Sequence, residues 1–306
     1  MTASFPPERL RLIDAHHHLW APAQRAYPFM AAEPLAPIRR SYDLADLERV
    51  TRPLGVEATV LVQAVSTQEE TNHLLAIADS SHGLVSGVVG WTDLTSPDVS
   101  SQLAAVRSGP GGARLVGVRH QAEDEPDPNW LVRPAVTAGV AAVGDAGLVY
   151  DLLVKAPQWA AALALVRRTP GTVFVLDHAG KPDIAGGAWA PWAQMISALS
   201  SEPNVHVKLS GLVTQARWSD WTIAELQPYA KHVLDSFGAD RVMLGSDWPV
   251  SELAGDYARV MLSLRSLLDG LSNDERLQVL GRTAERTYGL RVVPGGPGGE
   301  RVGREC

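Results

Sequence analysis

Short runs rich in β-branched and aliphatic residues recur eight times along the chain, each followed by polar or Gly/Pro punctuation and then a longer stretch with helical periodicity. The runs are Arg9 to Ala15, Ala58 to Gln63, Leu84 to Trp91, Leu115 to His120, Leu148 to Leu153, Val173 to His178, Val205 to Ser210 and Val242 to Asp247. Between them the spacing of apolar positions predicts helices over Gln68 to Ser80, Pro157 to Arg168, Trp192 to Ser200, Ile223 to Phe237 and Tyr257 to Leu268. Ser66 and Thr67, standing just before Glu69 and Glu70, give the first of these an N-terminal cap. Strand alternating with helix through eight cycles predicts an α/β protein, a (β/α)8 TIM barrel, rather than a sandwich or a bundle. An open doubly wound sheet is the alternative, but no G-x-G-x-x-G follows any strand.

Two regions break the pattern. Trp20 to Arg40 holds Pro22, Pro28, Pro34 and Pro37 without periodicity, and reads as a long loop over the barrel mouth that forms part of a substrate rim. The Gly/Pro-rich end of the chain reads as a flexible tail. The organisation expected is therefore an N-terminal extension over 1–9, a single barrel domain over 10–290 and a tail over 291–306.

Composition narrows the function. Apolar residues make up 45% of the 306 and charged residues 20%, enough to bury a sizeable core. A net charge of −7, with no run of Lys/Arg longer than two, leaves no footprint for nucleic acid or an anionic membrane. The single cysteine, Cys306, excludes an internal disulfide and a buried thiolate nucleophile. Without an apolar leader or a spanning segment, the expectation is a soluble cytoplasmic protein acting on a small molecule; a homodimer is compatible with this.

The chemistry gathers at strand ends. The first run closes with Asp14-Ala15-His16-His17-His18, where the two-residue strand period puts His16 and His18 on one face as a chelating pair. The sixth ends in Asp177-His178, with His178 in phase with Phe174 and Leu176, and the eighth ends in Ser246-Asp247-Trp248. In a parallel barrel the C-terminal strand ends form the active face, so His16, His18, His178 and Asp247 are the candidate catalytic and metal-ligating set. Each alone has an ordinary explanation: a solvated histidine run, a structural imidazole, a helix-capping aspartate. Trp20, Gln63, Trp91, Arg119, Tyr150, Lys208 and Trp248 also stand near strand ends and are candidate substrate contacts. For Arg119 and Lys208 the competing reading is a buried ion pair with Asp151 or Asp177.

The segments IDAHHHLW (13–20), LVQA (61–64), GVVGW (87–91), GVRHQ (117–121), YDLLV (150–154), LDHAGKPDI (176–184), VKLSGL (207–212) and GSDWPV (245–250) resemble the amidohydrolase superfamily. The branch is that of metal-dependent TIM-barrel hydrolases similar to sugar lactonases and pyrone-dicarboxylate lactonases. The resemblance implies that His16 and His18 form the strand-1 pair, His178 the strand-6 imidazole, and Asp247 the carboxylate that handles the attacking water. Strand 4 offers Arg119-His120 and strand 5 Tyr150-Asp151, without the Lys or Glu bridge and extra His of two-metal members. One divalent ion, zinc by ligand type, is the implied cofactor; catalysis by the imidazoles without metal is the other reading.

The expected reaction is opening of a lactone ring, with a neutral aldonolactone favoured because Arg119 is the one clear Arg at a strand end. Two rivals are kept: a metal-dependent decarboxylase of an aromatic or unsaturated acid on the same barrel, and a catalytically silent metabolite-binding barrel.

Overall fold

The computed structural model describes residues 11–292. The extension over 1–9 and the tail from 293 onward lie outside the described residues. Eight strands form one sheet in chain order: β1 Leu12–His17, β2 Val56–Val62, β3 Val85–Gly90, β4 Leu115–His120, β5 Val149–Leu152, β6 Phe174–Leu176, β7 Val205–Leu209 and β8 Val242–Leu244. Neighbours from β1 to β8 pair in parallel. The ring is drawn together just beyond β8, where His17 bridges Trp248, His18 N donates to Trp248 O (2.7 Å) and Asp247 N donates to His16 O (2.8 Å). The result is the (β/α)8 barrel that the alternating pattern predicts.

Helices at Gln68–Ser80 and Ile223–Phe237 have the predicted bounds, while those at Trp159–Arg168, Trp189–Ser200 and Tyr257–Ser266 differ by two or three residues at one end. Thr67 caps the first through its hydroxyl, which accepts from Glu70 N. The Glu70 carboxylate turns inward instead of closing a capping box and accepts from Ala64 N (2.9 Å) and Val65 N (2.8 Å) at the end of β2. Burial pushes Glu70 up to about 7.

Strand period sorts the side chains into two layers. Ile13, Ala15, Ala58, Val60, Val62, Val89, Val149, Val175 and Met243 fill the barrel interior, and Tyr288, closing the last helix among the described residues, Thr283–Tyr288, plugs it together with Leu290 just beyond. Leu61, Val118, Tyr150, Phe174, Leu176 and Leu209 face outward beneath the helices. The Trp20 to Arg40 stretch is not featureless: it contains short 3-10 turns at Pro28–Ala31 and Glu33–Ile38, and Trp20 pairs with Tyr42 beneath them. No helix among the described residues is long and apolar enough to cross a membrane.

Candidate active site

β1 delivers two imidazoles to one point by way of a bulge. Ile13 pairs with Ala58 and Asp14 with Thr59, but Leu61 is met by His17, so β1 spends three steps where β2 spends two. The extra residue lets His16 and His18 both face the barrel axis alongside Ile13 and Ala15. His17 turns outward, with its Nε2 2.9 Å from Thr59 Oγ1. Asp14, also outward, braces the other side. Its carboxylate accepts from Ser246 N (2.8 Å), Ser246 Oγ (2.6 Å), Tyr257 OH (3.0 Å) and His16 N (3.2 Å), tying β1 to the turn that carries Asp247.

His178 arrives by a different route from the one its phase suggests. Phe174 and Leu176 point outward, and strand continuation would send His178 the same way. β6 stops at Leu176, and His178 and Ala179 adopt left-handed backbone (φ 53° and 50°) that swings the ring into the mouth. Gly211, itself at φ +65°, leaves the space: a Cβ there would stand 2.7 Å from His178 Nδ1. Asp247 likewise sits at φ 57° at the opposite rim.

The four side chains converge. His16 Nε2 lies 3.2 Å from His18 Nε2, and Asp247 Oδ1 lies 3.9, 3.7 and 3.8 Å from the Nε2 atoms of His16, His18 and His178. All are buried. The tautomers are set from behind: a carbonyl can only accept, so His18 Nδ1 carries the hydrogen it gives to Val62 O (2.8 Å) and its Nε2 presents a lone pair. His178 Nδ1 meets Ser210 Oγ at 2.9 Å, and Asp177 Oδ1 stands 3.2 Å from His16 Nδ1. Burial holds His16 well below the ordinary imidazole range, lowers His18, and holds His178 down at about 4, so all three rings are neutral at pH 7. Burial acts to raise Asp247, but His178 and His18 outweigh it and the carboxyl ends below its usual value.

Below this cluster lies a buried charged layer. Lys208 Nζ contacts Asp151 Oδ2, Asp177 Oδ1 (2.9 Å) and His16 Nδ1 (3.2 Å). Arg119 donates to Asp177 Oδ2 (2.9 Å) and to Gln63 O, and its Nη1 is 3.4 Å from His16 Nε2. Tyr288 OH donates to Asp151 (2.9 Å) from below.

Above it opens a cavity of about 450 Å³ lined by His18, His178, Asp247, Trp20 and Arg119, with Phe29 and Leu35 from the Pro-rich stretch and Trp218 opposite. Of the candidate substrate contacts, Trp20 and Arg119 therefore reach this cavity and the others lie elsewhere. Tyr150 faces outward against Phe174, since Asp151 takes the inward position. Trp248 is buried against Tyr42 and donates to Glu252, and Trp91 donates to His120 and lines a separate surface hollow. Lys208 is locked in the charged layer. Gln63 is fully buried, donating to Arg119 O. Sequence reading passed over Glu123, Lys155 and Lys181, which line the cavity from the turns after β4, β5 and β6. Lys181 stands in the LDHAGKPDI segment, three residues past His178; the other two carry no such signal. It also passed over Asp14 as a brace.

The amidohydrolase family profile matches residues 13–290. The chain belongs to the amidohydrolase family. This amidohydrolase is 38% identical over 280 residues to an L-fucono-1,5-lactonase of Burkholderia ambifaria, covering 90% of this chain and 94% of the relative. It is 36% identical to an L-fucono-1,5-lactonase of Burkholderia multivorans, with 91% and 96% covered. A crystal structure of an amidohydrolase from Burkholderia multivorans with bound zinc matches with a TM-score of 0.86 at 34% identity, covering 92% of this chain and all of that one.

The donor set fits such an ion. Ligand atoms of a tetrahedral zinc site stand about 3.4 Å from one another, given bonds near 2.1 Å. The His16–His18 separation of 3.2 Å and the 3.7 to 3.9 Å from Asp247 Oδ1 to each imidazole bracket that value. His16, His178 and Asp247 bring ligand atoms within 4.8 Å of one another, and the His18 Nε2 lone pair faces the same point, 3.7 Å from Asp247 Oδ1.

Proposed function

We propose that this amidohydrolase opens the ring of a neutral sugar-derived lactone, of which L-fucono-1,5-lactone is the reference compound, releasing the open-chain aldonate. The observation that carries the reading is two neutral imidazoles, His18 and His178, and the ionised Asp247 carboxylate on the floor of a cavity of about 450 Å³, with the buried His16 ring in contact with them from beneath. A hydrolytic centre on a small ester needs that combination: electrophilic help at a carbonyl, a base for water, and a volume that admits one ring. The L-fucono-1,5-lactonase relatives, aligned over nine-tenths of this chain, support the same substrate class.

His16, His18, His178 and Asp247 would hold one divalent ion, which when bound supplies Lewis-acid polarisation of the lactone carbonyl and acidifies water. Asp247 Oδ1, ionised and aimed at the centre of the cluster, takes a proton from the attacking water. After the carbonyl–ring oxygen bond breaks, the Asp247 carboxyl returns that proton to the departing ring alkoxide. His18 and His178 keep their Nδ1 atoms on Val62 O and Ser210 Oγ throughout, so the rings do not rotate away as charge develops. Trp20, Phe29 and Trp218 present apolar faces to the ring and thin the water around it.

The test is a direct comparison. Proton release from a panel of five- and six-membered aldonolactones is expected at rates well above spontaneous opening, with no CO₂ formed from hydroxybenzoates. CO₂ release without lactone opening would instead select the decarboxylase, and neither activity in zinc-supplemented protein would select a silent barrel.

A further inference from the structure

We propose that Glu123 is the charge selector of this site: by pairing with Lys181 and Lys155 on the cavity wall, with Asp124 alongside, it leaves these four groups without net positive charge, so that the site admits lactones bearing hydroxyl groups and turns away those bearing a carboxylate. This rests on the lactone reading above and deepens it.

Three successive strand ends build that wall. Glu123 comes from the 3-10 turn Ala122–Asp124 after β4, Lys155 follows β5, and Lys181 follows the left-handed turn after β6. Lys181 Nζ donates to both oxygens of Glu123, at 2.7 and 2.6 Å, and Lys155 Nζ stands 3.4 Å from Glu123 Oε2. The Lys181 backbone is fixed as well, at φ 54° with its N–H on His178 O (2.9 Å), and the ammonium itself is held by its two bonds to Glu123. Arg119, the remaining Lys or Arg lining the cavity, already serves Asp177 Oδ2 and Gln63 O. Each Lys or Arg on the described cavity lining is thus committed to a protein oxygen.

The consequence follows from simple electrostatics. Carboxylate recognition wants an uncommitted guanidinium or ammonium. Here an incoming carboxylate would have to displace Glu123 from two lysines and then lie beside Glu123 and Asp124, both of which line the cavity. A hydroxyl meets no such conflict, because it is uncharged and can donate its hydrogen to a free lone pair of the Glu123 carboxylate, which a carboxylate ligand cannot do. Glu123 itself stays ionised: burial acts to raise it, but Lys181 and Lys155 hold it below the usual range.

The experiment uses galactonolactone and galactarolactone of the same ring size, identical except for CH₂OH or carboxylate at C6. Wild type is expected to favour the neutral member in kcat/KM. Glu123→Gln, which keeps the shape and frees two ammonium groups, is expected to move the neutral-to-acidic ratio toward the acidic lactone by about tenfold or more. Lys181→Gln should move it the other way, so a folding defect in either variant does not decide the matter. A ratio unchanged in Glu123→Gln, or a wild type that prefers galactarolactone, overturns the selector while leaving lactone opening intact. A wild type that opens no lactone at all overturns the reaction itself and the selector with it.

Discussion

Asp247→Asn is expected to lower lactone-opening kcat by about 10²–10⁴, the range associated with loss of a positioned general base. The substitution is a clean probe because Asn tolerates the left-handed backbone that Asp247 occupies at φ 57°, and the bond from residue 247 N to His16 O (2.8 Å) is made by the main chain. What disappears is a negative charge facing three neutral imidazoles, and with it both the proton acceptor and one ligand oxygen. Thermal unfolding should shift little while turnover collapses. A variant that folds and turns over at the wild-type rate would remove Asp247 from the mechanism.

Lys208→Met is expected to cost about 3–5 kcal/mol of folding stability, the penalty typical of breaking a buried ion pair by deleting one partner. Lys208, Asp151 and Asp177 are all fully buried, and the ammonium is the group that keeps the two carboxylates from facing one another unneutralised. Burial already pushes Asp151 up to about 6, against the pull of Lys208, whereas Asp177 is held well below its usual value because Lys208, His16 and Arg119 together outweigh its burial. Against total stabilities of about 5–15 kcal/mol, such a loss leaves a marginal protein. Denaturant unfolding measures it directly, and Asp151→Asn in the Lys208→Met background should recover part of the loss by removing one stranded charge. Unchanged stability in the single variant would mean that the layer is hydrated and its charges screened.

The comparison with sequence reading divides along one physical line. Periodicity is a local property, so the eight strands, the capped helix beginning after Thr67 and the shared face of His16 and His18 are legible from spacing, whereas the bulge that turns that face inward is not. What spacing could not supply is depth along the barrel axis and the direction of a residue after the strand has ended. Lys208 and Arg119 are inward at strand positions, as their phase says, yet Lys208 lies beneath the cluster among Asp151, Asp177 and His16, while Arg119 borders the cavity above. Tyr150 and Asp151 are neighbours, and alternation allows only one of the two to face the interior, which is Asp151. His178 was chosen for the right zone from a phase that pointed outward; two left-handed residues, invisible to a strand pattern, bring it back. Glu123 and Lys155 carry no signal because a charged residue on a turn has an ordinary explanation at the surface, and Glu123 meets Lys155, 32 residues on, and Lys181, 58 residues on, only through the parallel pairing of β4, β5 and β6.

The claim on which the rest depends is that one ion-binding cluster, built from His16, His18, His178 and Asp247, performs the ring opening. Zinc added stepwise to chelator-stripped wild-type protein, with bound metal and lactone opening read on the same samples, tests it most directly. The account predicts that activity rises in proportion to bound zinc and levels off at one equivalent per chain. Full activity in the stripped protein, or saturation at a second equivalent, would contradict it.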